Sequence, residues 1–407
     1  MPETVLIVGG GHAGSQTAVS LRQSGFDGRV VIATDEALLP YQRPPLSKAF
    51  LSGSMDRKAL LLRTQDFYRN QGIEVMTKAR VERIDIEAKT VVLQKGEEMH
   101  WDQLVLATGS LPRRLAVPGA GLGNVFYLRT LGDSERIREA MANAEHLTII
   151  GGGYIGLEVA ASARKANKAV TVIEMEERIL KRVTSAFMSN FYQKVHETHG
   201  VAIRTDTLVT ALEGNGGRVG QVHTSDGQTL ATDLVIAGIG ILPATRLAEA
   251  AGIDCDNGIL VDETCRTSVE SIWAVGDCTN HPNAIFQRRM RVESVPNAME
   301  QSRVVAANLT GQKKQHRTVP WFWSDQYHLK LQMAGFGTNA DTEILRGSEE
   351  KEKFIRFYVQ DGLIRGVDSV NCSGEFIICR KLIEQEKSIE PEQLADSRVS
   401  LKELLSN

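Results

Sequence analysis

The sequence predicts an α/β protein of 407 residues, built from two doubly wound units and a small α+β module at the C-terminal end. Three observations carry this reading. A strand, a glycine-rich turn and a helix occur twice in the same arrangement; further apolar runs lie between and after the two copies; and the pattern changes character beyond residue 320. At roughly 150 residues per domain, the length suits two or three domains.

The first copy begins with the apolar run Val5, Leu6, Ile7 and Val8, which leads into Gly9-Gly10-Gly11-His12-Ala13-Gly14 and a helix-like stretch through Leu21. The second begins with Leu147, Thr148, Ile149 and Ile150 and leads into Gly151-Gly152-Gly153-Tyr154-Ile155-Gly156, with a helix-like stretch through Ala166. A second strand follows each helix, Val30 to Ala33 and Ala169 to Ile173.

In such a G-x-G-x-x-G, the first glycine makes a tight turn and the second lets the backbone approach a pyrophosphate. The third allows close helix packing, and the helix N-terminus faces the negative charge. One copy alone can be only a strand-to-helix turn. An acid about 20 residues on, placed to bind ribose hydroxyls, is a further requirement. Asp35 and Glu36 meet it in the first copy and Glu174 in the second. Two copies in matching context predict two Rossmann-like dinucleotide sites. An acid at Glu174 accepts a free 2′-hydroxyl and repels a 2′-phosphate, which favours NADH over NADPH, although Arg178 and Lys181 lie nearby.

The runs Gln103 to Ala107, Leu234 to Ala237 and Ile272 to Val275 read as further strands. Their order suggests that the second unit interrupts the first, giving 1–111 with 240–320 as one domain and 112–239 as another. The tail, 321–407, follows Pro320-Trp321-Phe322-Trp323. Alternation at Phe354 to Val359 and Leu363 to Val370, then helix-like segments to Leu405, suits an α+β module.

A formal charge of −3 gives no global attraction to nucleic acid or to an anionic membrane. No segment reaches the ~18 apolar residues of a membrane span, and no basic leader is visible, so the expected compartment is the cytoplasm. All five cysteines (Cys255, Cys265, Cys278, Cys372, Cys379) lie beyond residue 254, with no C-x-x-C and no metal-ligand spacing. Free, mostly buried thiols and no metal are expected. A cysteine pair in the first domain, which disulfide chemistry requires, is absent.

Longer motifs are more selective. Pro40-Tyr41-Gln42-Arg43-Pro44-Pro45-Leu46-Ser47-Lys48 and Pro320-Trp321-Phe322-Trp323-Ser324-Asp325-Gln326, with Ala107-Thr108-Gly109, Gly238-Ile239-Gly240, Pro243 and Ala274-Val275-Gly276-Asp277, resemble the NADH-dependent ferredoxin reductases of bacterial Rieske oxygenase and cytochrome P450 systems. These are glutathione-reductase-like flavoproteins, and the resemblance covers essentially the whole chain. It implies that the first unit binds FAD through Gly9, Gly11, Ala13, Gly14, Asp35, Glu36, Arg43, Lys48, Val81, Thr108, Gly109, Arg129, Gly276, Asp277, Val295 and Trp323. NADH would meet Gly151, Gly153, Tyr154, Ile155, Gly156, Glu158, Glu174 and Gly240. Lys48 would lie beside flavin N5, Glu158 near the nicotinamide, and Trp323 near the isoalloxazine.

Hydride transfer between these rings needs alignment and charge stabilisation rather than an external base. A lysine held by a glutamate suits that task. Without a function, Lys48 is a solvated loop lysine, Glu158 a polar residue in the first turn of its helix, and Trp323 a core aromatic. The resemblance further implies NADH:ferredoxin oxidoreductase activity, with single electrons passed to a small acidic [2Fe-2S] ferredoxin that feeds an oxygenase, as in aromatic degradation. Arg288, Arg289 and Arg291, with Lys313, Lys314, His316 and Arg317, offer a basic docking patch, although short basic runs are commonly just solvated faces. Rubredoxin, a quinone or oxygen as acceptor, and a flavin-binding signalling role of the apoptosis-inducing-factor type, are the alternatives.

Overall fold

The computed structural model describes residues 3–338 and 340–406. The chain forms two compact units, one of Met1–Arg43, Arg57–Leu111 and Leu242–Pro320, the other of Pro44–Asp56, Pro112–Ile241 and Trp321–Asn407.

In the first unit, five parallel strands run in the spatial order Ile272–Ala274, Gln103–Leu106, Thr4–Val8, Arg29–Ala33, Ile73–Met76. Thr4–Val8 is buried at every position because both faces of the sheet are covered. Val5 and Ile7 point into one layer, with Ala18 and Leu21 of the helix His12–Gln23 and Val305 of the helix Val295–Leu309. Leu6 and Val8 point into the other, against Ile84, Val91 and Met99 of a three-stranded antiparallel sheet and Trp101 just beyond it. The two-residue alternation of a strand thus builds two cores from one continuous apolar run. Ser302 on the second helix donates to the Ala13 carbonyl at 2.9 Å, joining the helices.

The second unit repeats the plan with parallel strands Val201–Arg204, Ala169–Ile173, His146–Ile150, Leu234–Ala237 and Val125–Phe126. Its helices Leu131–Ala142 and Ala186–Thr198 start at side-chain caps, Thr130 and Ser185. After residue 320 come five antiparallel strands in the order Trp321–Gln326, Leu329–Gly335, Leu363–Val370, Lys353–Gln360, Thr342–Ser348, followed by the helix Ser373–Glu384. Leu331, Met333, Phe354 and Val370 of this sheet share a core with Leu157, Met188 and Phe191.

One buried carboxyl sits in that packing. Asp368 accepts from the Tyr358 hydroxyl at 2.6 Å and from the Thr184 hydroxyl. Burial pushes it up to about 7, with Thr184 and Tyr358 only partly opposing and Glu343 adding to the rise. An unfolded aspartate titrates near ~4, so between about pH 4 and 7 the native state keeps a proton that the unfolded chain has lost. Stability contributed by this group therefore falls as pH rises through that window. Asp368→Asn keeps an acceptor for both hydroxyls without the charge. Scanning calorimetry across about pH 5–8 is expected to show a flatter slope. Near pH 8 the midpoint should lie a few degrees above wild type, at about 2–4 °C per kcal/mol recovered.

Candidate active site

The two glycine turns have the same geometry. Gly9 (φ +122°) and Gly151 (φ +108°) adopt the left-handed backbone that glycine tolerates. A Cβ on Gly9 would meet the Ala107 carbonyl oxygen at 2.2 Å, and one on Gly151 the Gly238 oxygen at 2.4 Å. A Cβ on Gly14 would lie 1.9 Å from the Gly9 oxygen, and one on Gly156 2.2 Å from the Gly151 oxygen. Gly11 and Gly153 differ, because a Cβ there meets no protein atom within 4 Å. Each is also the N-cap of its helix and supplies no side-chain cap to it. Amide donors and positive dipole ends thus face open space beside a backbone with no side chain, which fits a pyrophosphate in both units.

The acids at the strand ends are held differently. Glu174 accepts from the Gly152 amide at 2.7 Å and the Glu176 amide at 2.9 Å, which fixes its carboxylate against the second glycine turn. Arg178 donates to the Thr184 and Ser185 carbonyls and to the Ser189 hydroxyl, and Lys181 pairs with Glu176 at 2.9 Å. Both cations near Glu174 are thus engaged by neighbours in their loop and at the start of the helix Ala186–Thr198. In the first unit, Glu36 takes Arg43 at 2.6 Å and the Tyr41 hydroxyl, while Asp35 stays exposed. Asp277 accepts from Ser110 at 3.0 Å, and Gly276 donates its amide to Gln301 at 2.7 Å. Thr108 donates to the Ala244 carbonyl at 2.8 Å, and Gly109 and Gly240 hold positive φ.

Lys48 and Glu158 lie together in the second unit. Two prolines open the short 3-10 turn Pro44–Ser47, which fixes the chain ahead of Lys48. Ser134 donates to the Leu46 carbonyl at 2.7 Å and Ser162 to the Ser47 carbonyl at 2.8 Å, fastening the turn to two helices. Ser162 stands one helical turn after Glu158, on the same face. Lys48 Nζ lies 3.1 Å from Glu158 Oε1 and 3.4 Å from Asp325 Oδ2. Ser324 donates to Glu158 Oε1 at 2.6 Å and Ser47 to Oε2 at 2.5 Å. Glu158 is 4% exposed and the Lys48 side chain 16%. Burial raises the Glu158 carboxyl above the ordinary range, and Lys48, Ser324 and Ser47 oppose the rise. A buried ion pair is favourable only when its remaining groups are satisfied, and these donors satisfy both oxygens.

Several expectations change at this level. Glu158 falls in the second turn of Tyr154–Lys165 rather than the first, so its burial and partners, not the helix dipole, explain it. Tyr154 packs edge-on to Phe322 and donates to Met333 Sδ, so its ring belongs to the packing with the C-terminal sheet, while Ile155 beside it is exposed. Trp323 is half-buried, its ring 5.8 Å from that of Trp321. Val81 pairs with Leu93 in the antiparallel sheet of the first unit, and Val295 opens its helix beside a proline. Arg129 stands in the second unit, as Lys48 and Trp323 do, just ahead of Leu131–Ala142.

His316 is buried, and burial with neighbouring His281 and Lys314 pushes it down to about 3, so it adds nothing to a basic surface. Arg288 and Arg289 are exposed, Arg289 also donating to the Val261 and Asn280 carbonyls, and Arg291 pairs with Glu293. All five cysteines are free, and four are buried. Burial raises each thiol, Cys255 and Cys372 to about 11, so none is poised for redox chemistry. No group of three or more metal-ligating side chains occurs among the described residues, and no described helix is long and apolar enough to cross a membrane.

Residues 3–302 match the family model described as pyridine nucleotide-disulphide oxidoreductase. The chain belongs to this family. Residues 321–405 match a second model, the reductase C-terminal domain. The chain is 43% identical to rhodocoxin reductase of Rhodococcus erythropolis, over 98% of this chain and 93% of that one. Its fold matches the crystal structure of the ferredoxin reductase for the CYP199A2 system from Rhodopseudomonas palustris with a TM-score of 0.96 and 42% identity, covering 98% and 99% of the two chains. It matches the reductase in the covalent putidaredoxin reductase–putidaredoxin complex equally well, with a TM-score of 0.96 and 43% identity over 99% and 98%. This family member is an oxidoreductase and a flavoprotein, with FAD and NAD(H) as its cofactors.

Proposed function

We propose that the protein is an NADH:ferredoxin oxidoreductase that supplies electrons to an oxygenase. Two glycine cradles of one design, with no redox-ready thiol in either unit, carry this reading. Bound FAD supplies the step between a two-electron hydride donor and a one-electron acceptor. The working division is 1–111 with 240–320 for FAD, 112–239 for NADH and 321–407 as the C-terminal module. In the first cradle, Gly9, Gly11 and Gly14 admit the FAD pyrophosphate, and Asp277 holds its ribityl or pyrophosphate region. In the second, Gly151, Gly153 and Gly156 admit that of NADH, and Glu174 takes its ribose hydroxyls.

Lys48, held by Glu158, presents a fixed cation to the negative charge that hydride transfer leaves on the flavin ring. Trp323 would hold the same ring when FAD is bound. Arg288 and Arg289 form the exposed part of a docking surface for an acidic [2Fe-2S] ferredoxin, where opposite charge raises the encounter rate. The five free thiols suit a reducing compartment, the cytoplasm.

Anaerobic rapid mixing with NADH tests the first half of this reading, with bleaching of the flavin absorbance as the expected result. Flavin that stays oxidised would end the proposal. Cytochrome c reduction with a panel of ferredoxins and a rubredoxin, against oxygen alone, tests the second half. Glu174→Ser, which removes the repelling charge, is expected to weaken NADH and improve NADPH, shifting the ratio of their kcat/KM values by about tenfold or more. Steady-state kinetics with both nucleotides check it.

A further inference from the structure

The hydrogen bonds around Glu158 continue past the residues that touch it. Gln326 Nε2 lies 3.1 Å from Ser324 Oγ, His196 Nε2 lies 2.8 Å from Gln326 Oε1, and the Tyr327 hydroxyl lies 3.3 Å from His196 Nδ1. His196, Gln326 and Ser324 are completely buried. All belong to the second unit, on the helix Ala186–Thr198 and on or just beyond the strand Trp321–Gln326.

Counting protons fixes the direction of this chain. An ionised carboxylate only accepts, so the single hydroxyl proton of Ser324 goes to Glu158 Oε1. Ser324 can then only accept from Gln326, which must turn its amide nitrogen toward the serine. The Gln326 oxygen therefore faces His196, and His196 must donate from Nε2. Its Nδ1 is left bare, as an acceptor for Tyr327. Burial pushes His196 down to about 4, so the ring is neutral at working pH and carries one proton.

We propose that His196 and Gln326 are positioning residues: a one-way chain of donors, His196 to Gln326 to Ser324, ends on the Glu158 carboxylate and holds it ionised against Lys48. Successive bonds pointing the same way polarise one another, so the far end of the chain acts on Glu158 without touching it. Other charged or titratable groups face the same centres. They are Lys48 from the proline turn, Asp325 from its strand and Tyr154 on Glu158's own helix, with His199 and Tyr327 beside His196. Of these, Lys48 alone favours the ionised Glu158. The hydroxyls and the amide supply the rest of its support.

This inference rests on the proposed role of Glu158, but its test does not depend on turnover. Nitrogen NMR of the histidine-labelled oxidised holoprotein, with the His196 signal assigned by loss in His196→Gln, is expected to show the Nε2–H form across about pH 5–9. A proton on Nδ1 would overturn the proposal with no variant required. Isotope-edited infrared titration of Glu158 gives the second readout. Its midpoint is expected to rise by about one pH unit in Gln326→Leu and in His196→Leu. His196→Gln, which keeps an N–H donor, should return it close to wild type. The acid limb of flavin reduction by NADH should move with the midpoint. An unmoved midpoint in both leucine variants would equally overturn the chain. If the wild-type flavin is not reduced by NADH, the functional reading falls while the tautomer and the midpoint still decide this one.

Discussion

A folded but colourless protein is the expected product of Gly11→Val. The added side chain meets no protein atom near its Cβ, so the first unit can still form. It projects instead into the space beside the helix N-terminus, where the FAD pyrophosphate must sit. Losing two charge-assisted amide bonds, at about 1.5–3 kcal/mol each, lowers affinity by about 100-fold or more. Gly14→Ala is the contrasting control. Its Cβ would stand 1.9 Å from the Gly9 oxygen, so the turn and helix cannot both keep their places and the fold itself is damaged. In the second cradle, Gly153→Val should stay yellow and be bleached by dithionite but not by NADH. Circular dichroism, flavin absorbance and anaerobic mixing separate these outcomes. A yellow Gly11→Val protein with normal flavin content would show that the first cradle is not the FAD site.

Glu158→Gln is expected to slow flavin reduction by NADH about 100-fold, the size of effect seen when one fixed electrostatic group is removed from a reacting centre. Glutamine keeps the shape and can still meet Ser47 and Ser324, but it leaves Lys48 paired only with Asp325, whose side chain is 46% exposed. The lysine then loses the anion that holds it still. Lys48→Met should produce a loss of similar size, and the double variant should be little worse than either single one, because the two residues act as one unit. Single-turnover mixing after checking flavin content is the measurement. A wild-type rate in Glu158→Gln would reduce the pair to a structural role.

Much of this site was legible in the sequence because its parts are local. Glycine spacing, the acid that ends the second strand and the proline-rich run before Lys48 each lie within a few residues, and each has a physical reason that a short stretch can display. Lys48 and Glu158 were joined only through the resemblance, since 110 residues separate them and no periodicity links a proline turn to a helix. The partners of Glu158 were harder. Ser47 and Ser324 stood inside quoted motifs without a role, because a serine matters here only through where its one proton goes. His196 carried no signal beyond its position on a helix, and only folding brings it to Gln326, 130 residues on.

Surface and interior were also misjudged where composition was the sole guide. Lys313, Lys314, His316 and Arg317 read as a basic run, yet the backbone turns His316 inward against His281. The antiparallel sheets at Val81–His100 and Val209–Ala231 leave little trace in the sequence, because one face of each is largely wet and, in the first, every strand has five residues or fewer.

The first sheet carries a consequence for synthesis. Its strand Gln103–Leu106 awaits Ile272–Ala274, and the helix His12–Gln23 awaits Val295–Leu309. A ribosome adding about 5–20 residues per second leaves that gap open for on the order of ten seconds or more. Throughout it, the nascent N-terminal half lacks the strand and the helix that complete its core, which suits it to holding chaperones. The sheet containing His146–Ile150 waits less, because its five strands all lie within residues 125–237, although Val125–Phe126 still awaits Leu234–Ala237.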